Sequence, residues 1–229
     1  MADNLEATQA ALTPKGAAMR ERMLAAAAKV FAKRGYERTR VADITKAAKT
    51  SHGNFYRHFR NKDEALMAAL ESPLDELHNS FKPPSGSPFL IDERELSRRI
   101  IDSFKVYARY RRLLRVMREA AARGEEASFF SLWMDTRSRF IKGNAVWLTR
   151  FKKQGLLAPE FDPEMAAEML LALAEQTAYI KIGLAATLPS DPEIERLGLH
   201  CAAIWYRGVF TGARAAKSEA SLKLVQGRG

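Results

Sequence analysis

The chain has 229 residues, with 37 Lys+Arg against 27 Asp+Glu for a formal net charge of +10, 47% apolar residues and a single cysteine. Such a length suits one domain of moderate size or two small ones, and the apolar and charged fractions exclude wholesale disorder, a collagen repeat and a disulfide-stapled scaffold. With Cys201 alone there is no intramolecular disulfide and no cysteine-based metal cage, and a lone thiol suits a reducing compartment, where it is expected as a small buried apolar group.

In chain order, Thr13-Pro14 offers an N-cap and a proline at the first helical position, so a helix should follow. Leu24, Ala27, Ala28 and Phe31 repeat on one face of it, and Gly35 can take the left-handed conformation that ends it. Val41, Ile44, Ala47 and Ala48 mark a second helix. After a Lys49-Thr50 turn, Ser51 can cap a short third helix that carries Phe55 and Phe59 inward, and Asn61-Lys62-Asp63-Glu64 opens a longer fourth.

The remainder is also helical, with almost no period-two alternation to suggest strands. Pro73 should stop or kink the fourth helix, and Lys82 to Pro88 is a loop by composition. Helices are expected from Arg94 to Ala122, with a break near Tyr110, and from Glu125 to Gln154, ended by Gly155. Two final helices announce themselves in the same way, through Asp162-Pro163-Glu164 and Asp191-Pro192-Glu193, each read as an Asp cap followed by proline and an acid.

No secretory signal is visible before Arg20, and a cytoplasmic protein is expected. Met165 to Leu188 is apolar and about long enough to span a bilayer, but Glu168, Glu175 and Lys181 interrupt it, so it reads as a buried helix and no membrane association is expected.

The charge is unevenly placed. Pro14 to Lys62 holds 13 Lys+Arg and 3 Asp+Glu, which leaves 24 of each sign for the rest of the chain. A positive excess confined to one segment beside a neutral body is the pattern of a polyanion-binding module. Turn signals divide the segment into short helical pieces, which favours nucleic acid over a membrane surface, where one long amphipathic helix would serve.

Thr39 to Ala65 reads TRVADITKAAKTSHGNFYRHFRNKDEA, a helix, a tight turn and a short polar second helix. That is helix-turn-helix geometry, in which the second helix needs a slim polar tip to enter the major groove. Ser51, His52, Gly53 and Asn54 supply the tip, and Thr50 of the preceding turn is a further candidate DNA contact. Gly53 allows close backbone approach, His52 and Asn54 can bond base edges, and Tyr56, Arg57 and Lys62 can reach phosphates.

The segment resembles the N-terminal domain of the TetR family of bacterial transcriptional repressors. The likeness rests on the Leu24–Gly35 helix ending in FAKRGY, then VADITKAA, then SHGNFYRHF, then NKDEAL, and it covers residues 14–70. It implies that Ser51 to Tyr56 form the recognition helix, that Tyr56 contacts DNA, that Lys62 grips a phosphate, and that Phe55 and Phe59 hold the domain together. Two departures stand out. Lys49 occupies a place where the family commonly has a turn glycine, and Arg40 one where a capping Thr or Ser is frequent, so Arg40 is either a weaker cap or a further phosphate contact.

The resemblance also implies an all-α protein, with a three-helix DNA-binding domain followed by a larger helical domain for ligand binding and dimerisation. The expected boundaries are a flexible arm over 1–13, the DNA-binding domain over 14–66, the larger domain over 67–215 and a flexible tail over 216–229. The expected activity is that of a ligand-responsive regulator, a homodimer through its last two helices that binds a near-palindromic double-stranded operator. Small residues Gly183, Ala185, Ala186, Ala202, Ala203, Gly208 and Gly212 would allow the partner's close approach. A small, largely apolar inducer would enter a pocket, for which Phe104, Tyr107, Met117, Trp133, Phe140, Trp147, Met169 and Tyr179 are candidates.

Arg109, Arg111, Arg112, Arg115 and Arg118 could hold an anionic inducer such as an acyl-CoA, although scattered around a helix they read better as solvated. His52 and His58 are six residues apart and point to different faces, so no metal site is expected, and no cofactor or catalytic constellation emerges. Two other classes stay open from the residues alone: a DNA-binding protein without sequence preference, and a small helical enzyme or lipid-binding protein with a basic N-terminus.

Overall fold

The computed structural model describes residues 13–81, 92–122 and 128–210. The expected arm up to residue 12, the Lys82–Pro88 loop, the residues around Glu125, Gly212 and the 216–229 tail lie outside them. Among the described residues are eight α-helices, a π-turn and one isolated antiparallel bridge, Leu157 with Phe210. They divide into two compact units, one of residues up to Leu74 with Arg112–Trp133, the other of Asp75–Arg111 with the residues from Met134 onward.

In the first unit, helix α1 (Pro14–Arg34) starts where Thr13 Oγ1 accepts the Gly16 amide at 3.2 Å and ends at Gly35, φ 75°. Helix α2 (Val41–Ala47) has Arg40 at its N-cap, and the cap comes from the other partner: the Asp43 carboxylate accepts the Arg40 amide at 3.0 Å. Helix α3 (His52–Tyr56) is capped by Ser51, whose hydroxyl accepts the Asn54 amide at 3.2 Å. Helix α4 (Lys62–Ser80) opens on Asn61, whose Oδ1 accepts the Glu64 amide at 2.8 Å.

The core between them is apolar and small. Met23, Ala27 and Phe31 of α1, Ile44 of α2, Phe55, Phe59, and Leu66 and Leu70 of α4 are all buried. Each large side chain there contributes about 1.5–3 kcal/mol, enough in sum to hold the five-residue α3, which could not persist alone.

Helix α4 continues through Pro73 to Ser80, so the proline, expected to stop or kink the helix, does not stop it. Helix α5 (Glu93–Ala121) is unbroken past Tyr110, and α6 (Ser128–Lys153) ends at a turn closed by Gly155, φ 70°. Helix α7 (Pro163–Ala178) takes Asp162 as its cap, as expected, with Oδ1 accepting the Glu164 and Met165 amides.

Helix α8 (Asp191–Val209) differs from the expectation. Ser190 is the cap, Asp191 is already helical, and the Glu193 carboxylate accepts the Ser190 amide at 2.8 Å. A hydroxyl one residue earlier, with an acid three residues on, completes a capping box that Phe161 cannot provide ahead of Asp162.

The apolar run Met165–Leu188 is not one buried helix. It passes from α7 into a π-turn over Tyr179–Gly183, closed by the Leu184 amide on the Tyr179 carbonyl at 2.9 Å, and Met165, Met169, Ile180, Leu184 and Leu188 are exposed. No described helix is long and apolar enough to cross a membrane. Cys201 is buried, as expected, with burial pushing its thiol above the usual range.

The core of the second unit gathers aromatic rings. Trp147 meets Phe151 and Trp205 edge-on, Phe210 closes on Phe151 and Trp205, and the Trp205 indole donates to the Ala166 carbonyl at 3.1 Å.

Candidate nucleic-acid interface

The short helix α3 is presented by its neighbours. Phe55 and Phe59 are buried, so the opposite face of α3 turns to solvent. Ser51, His52, Gly53, Tyr56 and Arg57 are exposed there, with Thr50 and Asn54 half-buried. Tyr56 is 57% exposed, an unusual place for a large ring unless it has an external partner, and its edge rests against Phe55.

The Asn54 amide nitrogen donates to Thr50 Oγ1 at 2.8 Å, which fixes the amide plane and leaves Oδ1 and one N–H free for a base edge. A Cβ at Gly53 would meet nothing within 4 Å, and Gly53 has no positive φ. The fold therefore makes no demand for glycine at the tip.

Lys62 is placed differently from the expectation. Its ammonium donates to the carbonyls of Tyr36 and Thr39 at 3.2 and 3.4 Å and lies 4.1 Å from the centre of the Tyr36 ring. The Tyr36 hydroxyl donates to Asp63 at 2.5 Å, and burial followed by that carboxylate raises its pKa. Lys62 and Asp63 thus tie the α1–α2 loop to the start of α4. The loop is also held by buried Thr39, whose hydroxyl donates to the Gly35 carbonyl at 2.7 Å.

The cations divide in two. Arg34 pairs with Asp43 at 2.6 Å and Arg60 with Glu64, whereas Arg40, Lys46, Lys49 and Arg57 are exposed with no ion pair among the described residues. Unpaired positive charge beside an exposed polar tip is suited to a polyphosphate. Half-buried His58 is pushed below its ordinary value by burial and then by Arg57 and Arg20. Arg20 itself is buried over the Phe59 ring at 5.3 Å.

The eight expected pocket residues fall in both units. Met117, buried, and Trp133, half-buried, belong to the first; the other six belong to the second. Phe104, Tyr107, Phe140 and Trp147 are buried and Tyr179 half-buried, but Met169 is 52% exposed, on the outer face of α7 with Met165.

Of the α5 arginines read as solvated, Arg112 is exposed, whereas three others are engaged. Arg109 pairs with Glu76, Arg111 donates to the carbonyls of Ile182 and Ala185 at 3.1 and 2.9 Å, and Arg115 pairs with Glu119. Arg111 thereby satisfies carbonyls around the π-turn, a role with no signal in the sequence. Among the described residues no group of His, Cys, Asp and Glu could hold a metal ion.

Of the small residues expected at a subunit contact, Gly183 and Ala202 are buried within the chain. A Cβ on Gly183 would stand 3.0 Å from the Tyr107 hydroxyl. Ala186 and Gly208 are exposed and Ala185 and Ala203 half-buried, and large exposed residues accompany them: Leu199 and Ile204 on α8, and Met165 and Met169 on α7. The one-turn spacing of Met165 and Met169, which puts both on one side of α7, was the available signal.

A capped, solvent-facing helix on a basic frame is what entry into a DNA groove requires, and comparison with known proteins agrees: the chain is a DNA-binding transcriptional regulator of the helix-turn-helix class. Residues 23–70 match the family described as bacterial regulatory proteins, tetR family. The transcriptional regulator TtgR of Pseudomonas putida is 29% identical over 163 residues, covering 68% of this chain and 76% of that protein.

Solved structures share the fold, among them the following two. A TetR-family regulator from Mesorhizobium loti has a TM-score of 0.68 at 19% identity, over 87% of this chain and all (100%) of its own. SmeT in complex with triclosan has a TM-score of 0.64 at 23% identity, over 85% of this chain and 92% of its own. SmeT is the repressor of the Stenotrophomonas maltophilia multidrug efflux pump SmeDEF. These relatives are regulators, not enzymes.

Proposed function

We propose that the chain is a cytoplasmic, homodimeric repressor that binds a near-palindromic operator and is released by a small, largely apolar inducer. The observation that carries the DNA-binding part is the exposed face of α3, where His52, Gly53 and Tyr56 stand in solvent although the fold gives none of them a reason to. His52, Gly53 and Asn54 face base edges, while Thr50, Ser51, Tyr56, Arg57 and Arg40 contact the sugar-phosphate backbone. Lys62 acts chiefly by holding the α1–α2 loop.

The subunit contact is assigned to α7 and α8. Met165, Met169, Leu199 and Ile204 are each more than half exposed, and such a patch is rarely left open on a monomer. For a dimer to read successive major grooves its two recognition helices must stand about 34–36 Å apart, or a multiple of that. An inducer releases DNA by preferring a conformation with another spacing, and only its differential affinity does so. The triclosan complex of SmeT supports an apolar ligand.

The test is selection of bound duplexes from a random pool at near-physiological salt. A two-fold symmetric motif with half-sites about one helical turn apart is expected. Good binding with no enriched motif would replace this function by sequence-independent DNA binding. Within the regulator, Tyr56→Ala should weaken operator binding about tenfold with the thermal midpoint unchanged; equal anisotropy titrations for both proteins would remove Tyr56 from the contact set.

A further inference from the structure

We infer that Lys49, in the turn between α2 and α3, is a DNA-phosphate anchor presented by a strained backbone. The inference rests on the DNA-binding function proposed above. The turn is a Schellman closure of α2, in which the Thr50 amide donates to the Thr45 carbonyl at 3.0 Å and the Lys49 amide to the Lys46 carbonyl at 3.2 Å. That closure places residue 49 in the left-handed region, and Lys49 adopts φ 51°. In this conformation a Cβ crowds the following carbonyl, so the backbone alone would select glycine.

Elsewhere the chain obeys that rule. Among the described residues the other positive-φ positions are Gly35 and Gly155, and Lys49 is the single non-glycine. Strain kept at a position where a different residue would relieve it points to what the side chain does.

Nothing among the described residues accounts for the side chain. Lys49 is exposed and has no hydrogen bond or ion pair from its ammonium among the described residues. Lys46, exposed one turn earlier on α2, adds a second unpaired positive charge, and Asp43, the carboxylate of that helix, is held by Arg34. The surroundings oppose the charge of Lys49.

The position of the turn accounts for it. In helix-turn-helix docking the second helix sets its N-terminal residues against base edges while the first crosses the sugar-phosphate backbone. Lys49 lies between those two contacts, two residues ahead of the Ser51 cap. An ammonium on a flexible four-carbon stem, projecting from the turn, is suited to the phosphates that flank the bases read by His52 and Asn54.

The test uses the full chain, fluorescence anisotropy, and two duplexes of about 30 base pairs, one enriched from a random pool and one unselected, with NaCl varied from about 50 to about 200 mM. Lys49→Gln should lower affinity about three- to tenfold on both duplexes and reduce the slope of log affinity against log salt by about 0.9. Lys49→Arg should keep the wild-type slope. Lys49→Gly should lose the same affinity with a thermal midpoint no lower than that of the parent, because relief of the turn offsets glycine's entropy; this separates a lost charge from a damaged fold.

A Gln variant with wild-type affinity and slope overturns the inference and leaves the DNA-binding function standing. An Arg variant as weak as the Gln variant also overturns it, since charge would then not be what matters. Failure of the wild-type chain to bind either duplex at the lowest salt overturns the function itself, and the inference with it.

Discussion

At the scale of single residues, the DNA-binding unit combines side chains that hold it with side chains it leaves unused. Lys62 and Asp63 secure the α1–α2 loop, and Arg20 covers the Phe59 ring. His58 belongs with these structural residues. Its Nδ1 is buried without a hydrogen-bond partner among the described residues, and burial, then Arg57, then Arg20, disfavour its charged form. The unfolded chain, with an ordinary histidine, takes up the proton more readily, so this contribution to stability is complete above about pH 6.5 and is lost as pH falls through that value toward the lower folded pKa. Urea midpoints measured between about pH 7 and about pH 5 should decline, and His58→Gln should flatten part of that decline. Identical pH profiles for the two proteins would remove His58 as a source.

At the scale of elements, two glycines within helices have opposite meanings. Gly143 of α6 is exposed with nothing within 4 Å of a Cβ, so Gly143→Ala should stabilise the chain by about 1 kcal/mol through helix propensity. In α8 a Cβ on Gly198 would lie 2.5 Å from Ile101 Cγ1 and 3.1 Å from the Ile101 amide nitrogen. There overpacking outweighs propensity, and Gly198→Ala should destabilise by about 1–3 kcal/mol. Denaturant titration of both variants decides the matter, and a Gly198→Ala protein as stable as its parent would show that α5 and α8 can separate without cost. The π-turn at the end of α7 is likewise an element no residue pattern announces, because it is held by Arg111, 71 and 74 positions away in sequence from the carbonyls it bonds.

For the whole molecule, the proposed function depends on two surfaces. The basic segment Pro14–Lys62 carries the entire net charge of +10, so binding to DNA should be steeply weakened by salt. The apolar stripe of α7 and α8 is assigned to the partner subunit. Ile204, 66% exposed, is its most accessible large residue, and an acid there would bury charge in a dimer at little cost to the isolated chain. Ile204→Asp should shift sedimentation from dimer to monomer while circular dichroism stays unchanged, and operator affinity should fall with the loss of the second half-site. A variant that remains dimeric would place the contact elsewhere.

The sequence by itself determined the helices and their order, since caps, Gly35, Gly155 and the spacing of Ala27, Phe31, Ile44, Phe55 and Phe59 are local signals that need no distant contact, although the first helix buries Met23 where the spacing named Leu24. It also marked the solvent-facing polar tip of α3, because charge, turn and slim polar residues occur together in one short segment. Where it went astray, the deciding neighbour was local but competing, or distant. Ser190 displaced Asp191 as a cap because a hydroxyl and an acid at the right spacing form a reciprocal pair. Gly183 and Ala202 read as a path for a partner subunit, yet Tyr107 and the chain's own core occupy their surroundings. Lys62 read as a phosphate ligand, and the structure adds a second task, since carbonyls more than twenty positions earlier accept from its ammonium. Only the tertiary structure decided these points, because which donor meets which acceptor across the packing of two helices is set by their arrangement in space, and periodicity along one helix carries no record of it.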